Sequence, residues 1–195
     1  MHHQTDSLHD SDYFQIFPTV IGMYNLSGYH PAEEPKVISM TAKSDIEFNS
    51  EKDFLDENNL LLLKQNINDC IKAYSNEYGV DYYEIKHSWY ERISSTTDGR
   101  KYPNDTFVGY YFPKVPFNSA GLIVDPPFKS PIQKPSEKSV SIYTAPNEKF
   151  IINSGHLIIT PAYLNRYFTV NESNTIDMIV FTVKLCRWEE TFVII

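Results

Sequence analysis

The sequence predicts a mainly β domain with one helix packed on it and its strands arranged as a sandwich or barrel. Three observations carry this expectation. Tyr (14) and Phe (12) are abundant while Gly (7) is scarce, a composition that suits pleated, half-buried surfaces. Short β-branched and aromatic runs recur between turn signals, as in all-β sandwiches and barrels. Only one long stretch repeats its apolar residues at helical spacing.

Taken in order, "YFQIFPTVIGMYNL" (13–26) reads as a strand, with Pro18 marking an edge or bulge. "HPAEEP" reads as a loop and "KVISMTA" (36–42) as a short strand. A helix is expected from about Asp53 to Tyr78, because Leu60, Leu63, Ile67, Ile71, Tyr74 and Tyr78 recur at steps of three and four. Gly79 stands where a C-terminal cap belongs. The stripe is a core face packed on a sheet. Further strands are expected in "YYEIKHSWYERI", "TFVGYYFPKV", "GLIVDPPF", "SVSIYTA" and "KFIINSGHLIITPAYL", the last turning at "NSG". "RYFTVNESNTIDMIVFTVKL" reads as a hairpin around "NESN", and "RWEETFVII" as a final strand. "DPPFKSPIQKPSEKS", with four prolines, reads as a long exposed loop. The organisation expected is a polar arm (1–12), one domain (13–185) and a C-terminal arm (186–195).

The 195 residues carry 17 basic and 25 acidic side chains, a net charge of −8. Nucleic-acid binding through phosphate neutralisation needs the opposite balance. No apolar run reaches membrane-spanning length, and the first residues lack the apolar stretch of a signal peptide. Two cysteines, Cys70 and Cys186, imply no disulfide framework and fit a reducing compartment. His2, His3 and His9 sit in the polar arm, where no rigid frame defines a ligand geometry. The nucleophile elbow, the phosphate loop, the dinucleotide glycine pattern and the C-x-x-C pair are all missing.

"IFPTVIGMYNL", the single helix, "SWYERI", "YPNDTFVGYYFPKVP", "SAGLIVDPP", "SGHLIITPAYL" and "TIDMIVFTVKL" follow one another from about Phe14 to Leu185. This order resembles a family of iron(II)/2-oxoglutarate-dependent oxygenases common in marine bacteria and tailed phages. The resemblance implies a double-stranded β-helix, a cupin-like jelly roll with a metal at its mouth. The family pattern has two histidines, one residue apart, just before the Pro-Asn of the "YPN" strand. Those positions hold Arg100 and Tyr102 here. A third histidine follows the strand end that is "TPAYLNR" in this chain, where Arg166 stands. The family's 2-oxoglutarate-holding arginine belongs near the start of the last barrel strand. "NTIDMIVF" offers Asp177 there and no arginine.

Arg100, Tyr102 and Arg166 are thus degenerate metal-ligand positions on this resemblance. A guanidinium has no lone pair to give and repels a divalent cation, whereas non-haem iron needs imidazole and carboxylate donors on one face. The expectation is a non-catalytic chain, with no metal and no cofactor. His30, His87 and His156 show no ligand spacing among themselves, and a divergent oxygenase would need an unfamiliar pair such as His156 with Asp105. Tyr102, Tyr111 and Tyr163 with Arg100 and Arg166 could alternatively form a cationic, aromatic cup for an anion or glycan. His156, Asp105 and Asp177 complete the candidate lining. Against the cup stands a plugged barrel in which the arginines pair with Asp105 or Asp177. The favoured reading is an assembly protein held by contacts with protein subunits, its own or others. The family's presence in phages points to a virion, or to host cytoplasm before assembly.

Overall fold

The computed structural model describes residues 11–16, 19–29, 31–41, 53–79, 83–102, 104–116, 120–126, 148–171 and 174–185. The strands are β1 (Ser11–Ile16), β2 (Thr19–Asn25), β3 (Tyr83–Ile93), β4 (Phe107–Lys114), β5 (Ala120–Val124), β6 (Glu148–Ile151), β7 (His156–Pro161), β8 (Arg166–Val170) and β9 (Ile176–Leu185). The helices are α1 (Glu34–Thr41), α2 (Phe54–Glu57) and α3 (Leu61–Tyr78). A six-stranded sheet has the order β1-β2-β7-β4-β9-β3, and a three-stranded sheet the order β6-β5-β8. All pairings between these strands are antiparallel. The chain changes sheet between β4 and β5, β6 and β7, β7 and β8, and β8 and β9. This is the mainly β jelly roll that the sequence predicts.

The central strands β7, β4 and β9 of the large sheet are buried on both faces, which explains the unbroken apolar run of β4. Val108, Tyr110 and Phe112 face the small sheet and pack with Ile158, Met178, Val180, Leu122 and Phe168. The alternate residues Phe107 and Tyr111 face the other way, with Leu157, Ile159, Ile179, Phe181 and Val183. Onto that second face α3 lays Leu63, Ile67, Cys70, Ile71 and Tyr74, the stripe legible in the sequence. Gly79, at φ 75°, caps the helix in the left-handed conformation that glycine adopts without strain.

Four expectations change. The helix expected from Asp53 breaks into α2 and α3, because Asn59 adopts a left-handed φ of 49° and the Asn58 side chain donates to Phe54 O at 2.8 Å. Leu60 then offers no capping side chain to α3. Glu33 supplies the cap instead, accepting from the backbone of Leu62 at 2.9 Å and Leu63 at 2.8 Å. "KVISMTA" is helical through Thr41, since Pro35 opens a helix readily and Val37 N donates to Glu33 O. Residues 13–26 form two paired strands, with Ile16 opposite Thr19. "RYFTV" and "IDMIVFTVKL" do not pair as a hairpin. β8 joins β5 in the small sheet and β9 lies between β4 and β3 in the large one. Alternation reveals a strand's faces but not its sheet.

The expected strand "SVSIYTA", residues 127–139 of the Pro-rich loop, residues 1–10 of the N-terminal arm, His30, and the C-terminal arm with Cys186 lie outside the described residues. Among the described residues no helix is long and apolar enough to cross a membrane.

Gly109 stands directly opposite Phe181 across β4 and β9, and the Phe181 ring occupies the space a methyl group would take. Gly109→Ala is expected to displace that ring and cost about 1–3 kcal/mol, read as a lower urea midpoint at unchanged slope.

Candidate functional site

The site forms where two irregular segments meet at one end of the jelly roll. Residues 97–100 run along the free edge of β8. Thr97 N donates to Phe168 O at 3.1 Å, Phe168 N to Thr97 Oγ1 at 3.0 Å, and Arg100 N to Arg166 O at 2.8 Å. Arg100 and Arg166 are thereby bridged backbone to backbone. Tyr102 N donates to Ala162 O at 3.0 Å, tying the next turn to the end of β7. The structure therefore brings Arg100, Tyr102 and Arg166 together.

Arg166 opens β8 on the same face as Phe168, so its side chain enters the core. It is 0% exposed. Nη1 donates to Thr160 Oγ1 at 2.6 Å and to Pro161 O at 3.3 Å, and Nη2 donates to Ala162 O at 2.7 Å. The guanidinium carbon lies 5.3 Å from the Tyr102 ring centroid and 5.9 Å from that of Tyr110, within cation–π range. Desolvation lowers the Arg166 pKa, and the surrounding tyrosines oppose the shift. A guanidinium stays charged in either case.

Arg100 is half-buried and donates through Nη1 to Glu91 Oε1. Burial works against its charge, but the Glu91 carboxylate outweighs burial and raises the pKa. The Tyr102 ring contacts that of Trp89, with centroids 6.0 Å apart. Burial, and then the Glu91 charge, push the Tyr102 phenol up. Burial pushes Tyr110 well up.

The other candidates lie elsewhere. Tyr111 faces α3 rather than the small sheet, because it is out of phase with Tyr110. Asp177 shares that outer face. It accepts from the Tyr90 hydroxyl and from Arg92 Nε, the latter at 2.7 Å, so it pairs with neither site arginine. Asp105 lies 3.4 Å from Lys86 Nζ. Tyr163 is 51% exposed, its hydroxyl 3.4 Å from Thr19 Oγ1. His156 lies at the other end of β7, accepting at Nδ1 from Asn153 N at 3.3 Å. Since Phe107 pairs with Pro161 and Tyr111 with Leu157, His156 and Asp105 stand at opposite ends of the strands, roughly 15 Å or more apart. They cannot share one metal ion. The cup expected from five residues reduces to Arg100, Tyr102 and Arg166, joined by Glu91, Tyr110 and Thr160. Strand alternation held the missing signal: Glu91 is in phase with Trp89 and Ile93, Tyr110 with Val108 and Phe112, and Thr160 with Ile158.

Iron and 2-oxoglutarate do not fit these side chains. The mouth holds a fixed guanidinium and a neutralised ion pair, and neither supplies the imidazole and carboxylate donors that non-haem iron needs. Among the described residues no group of three or more His, Cys, Asp or Glu could hold a metal ion. Asp177, where the sequence resemblance would place a 2-oxoglutarate-holding arginine, is an acid paired with Arg92 on the other face of the sheet.

No protein-family model matches the chain, and no curated protein matches it. Solved structures do resemble it. A 2OG-Fe(II) oxygenase family oxidoreductase from Burkholderia pseudomallei superposes with a TM-score of 0.50 at 11% identity, over 90% of this chain and 73% of that one. A Pseudomonas putida prolyl-4-hydroxylase gives 0.47 at 7% identity, over 85% and 88%. The first likeness, with the sheet topology, shows that the fold is of the oxygenase double-stranded β-helix type.

Burial holds the His156 pKa below 6.5. On acidification the unfolded chain therefore takes up this proton first. Stability present above pH 6.5 is lost as the pH falls through the lower folded-state value. His156→Gln is expected to flatten that part of the decline, measured as urea midpoints between pH 8 and pH 5.

Proposed function

We propose that this chain is a non-catalytic structural or assembly protein built on an oxygenase-type jelly roll, and that it works in a tailed-phage particle. The observation that carries the non-catalytic reading is the fully buried Arg166 guanidinium, fixed by Thr160, Pro161 and Ala162 at a former ligand position. A permanent cation there opposes metal binding by charge and by volume together. Arg100 adds a second cation, committed to Glu91.

Support for an assembly role comes from the sheet edges. Among the described strands β3, eleven residues long, stands at one edge of the large sheet, where Asp53 bridges it at Ser88, and β1 stands at the other. Such strands accept further strands from a neighbouring subunit. The place in a particle rests on the sequence resemblance to a family found in tailed phages. The partners on this reading are protein subunits, its own copies or other virion proteins. The chain would be found in the virion, or in host cytoplasm before assembly.

An anaerobic titration with ferrous ion and 2-oxoglutarate is expected to show no stoichiometric binding of either. Sizing of the purified chain, with mass-spectrometric identification of what co-purifies, is expected to give a species larger than the monomer. Iron bound in the barrel with turnover of the keto acid to succinate would restore the divergent-oxygenase reading.

A further inference from the structure

One aspartate stands apart by the residue that follows it. Asp98 precedes Gly99, and no other aspartate or asparagine of the chain is followed by glycine. The pair lies between two anchors on the edge of β8. Thr97 N donates to Phe168 O at 3.1 Å, and Arg100 and Arg166 exchange backbone bonds of 2.8 and 3.3 Å. Asp98 and Gly99 therefore stand opposite Tyr167 alone, two residues against one, in the manner of a β-bulge. Both are exposed, and neither belongs to a strand or a helix. Among the described residues neither the Asp98 carboxylate nor the Gly99 N–H has a hydrogen-bond partner. Glycine is required here by its neighbour. A methyl group on Gly99 would stand 2.4 Å from Asn165 Oδ1, and Asn165 is held in place by Asp125, its Nδ2 donating to Asp125 Oδ2 at 2.6 Å.

We propose that Asp98–Gly99 is a site of spontaneous aspartate isomerisation, and that the product releases Arg100 from β8. The Gly99 nitrogen attacks Asp98 Cγ. A bond forms between them, and the carboxyl hydroxyl leaves as water with the amide hydrogen. The five-membered succinimide then takes up water at one of its two carbonyl carbons. Addition at Cγ restores aspartate. Addition at the main-chain carbonyl carbon of Asp98 breaks its bond to the Gly99 nitrogen, and the chain then runs through Cβ and Cγ as isoaspartate. One water is lost and one regained, so no oxidant or cofactor enters. Ring closure is open at this pair because glycine sets no side chain beside the attacking nitrogen, and the exposed bulge gives the attack room. The fold itself keeps the pair reactive, since Asn165 bars a bulkier residue at position 99. Isoaspartate adds one carbon to the main chain between Thr97 and Gly99. The two anchors are spaced for the shorter path, so the register between Arg100 and Arg166 is lost, and with it the position from which Arg100 reaches Glu91. The proposal holds whether or not the chain works in a particle.

The test ages the full chain in neutral buffer and maps its peptides by mass spectrometry with electron-transfer fragmentation, which separates isoaspartate from aspartate. Isoaspartate is expected to accumulate at position 98 ahead of every other described aspartate, with the succinimide detected as the loss of one water. Asp98→Glu, whose ring would need six members, is expected to abolish the product, and Asp98→Asn to form it faster. The Arg100 amide is expected to lose hydrogen-exchange protection in proportion to the isoaspartate formed, a loss that the aged Asp98→Glu chain should not show. Absence of isoaspartate from the folded chain, over the time in which a free peptide of residues 94–102 converts, would overturn the site. Unchanged protection of the Arg100 amide in the isomerised chain would overturn the release.

Discussion

The fold is organised around one electrostatic constraint: a guanidinium that never loses its proton is enclosed in the core of a jelly roll. Desolvating such a group costs several kcal/mol unless its donors and charge are matched. Thr160, Pro161 and Ala162 meet part of that demand from the end of β7 and the turn beyond it. Tyr102 and Tyr110 add their ring faces. The turn after β7 and the 97–102 segment are thus held by the same side chain that fills the mouth. Chemistry and architecture are joined at that point, because removing the charge would also loosen the loops that frame the site.

The second determinant is the two-faced burial of the central strands of the large sheet. With apolar residues on both sides, a strand such as β4 gives no polar face to show which side is inward. Small differences in phase then separate residues that are neighbours in sequence. Tyr110 enters the core between the sheets while Tyr111 packs under α3. Met178 faces inward while Asp177 joins Tyr90 and Arg92 on the other side.

These two features explain what the sequence could and could not disclose. The mainly β class, the α3 stripe, its Gly79 cap and the turn at Asn153–Gly155 were legible because each depends on local spacing and backbone preference. The juxtaposition of Arg100, Tyr102 and Arg166 was legible through the order of the motifs. The helicity of residues 36–41 was not, because those residues also suit a strand. The sheet membership of β8 was hidden because both strands of the supposed hairpin alternate correctly, and only their long-range partners differ. Glu91 went unnoticed because a lone acid between Tyr90 and Arg92 looks like solvated surface. Its distant partner, Arg100, gives it a role in the site.

The position of β9 has a consequence for how the chain acquires its shape. Among the described strands β3 pairs only with β9, and β4 needs β9 to complete its second side. During synthesis, residues 83–93 emerge long before residues 176–185. Until the later segment leaves the ribosome, β3 has none of the described strands to join and stands apart from the rest of the large sheet. Closing so long a loop makes this pairing a late and slow event. In that interval the exposed edge is open to the wrong strands, and chaperones would find their natural target there.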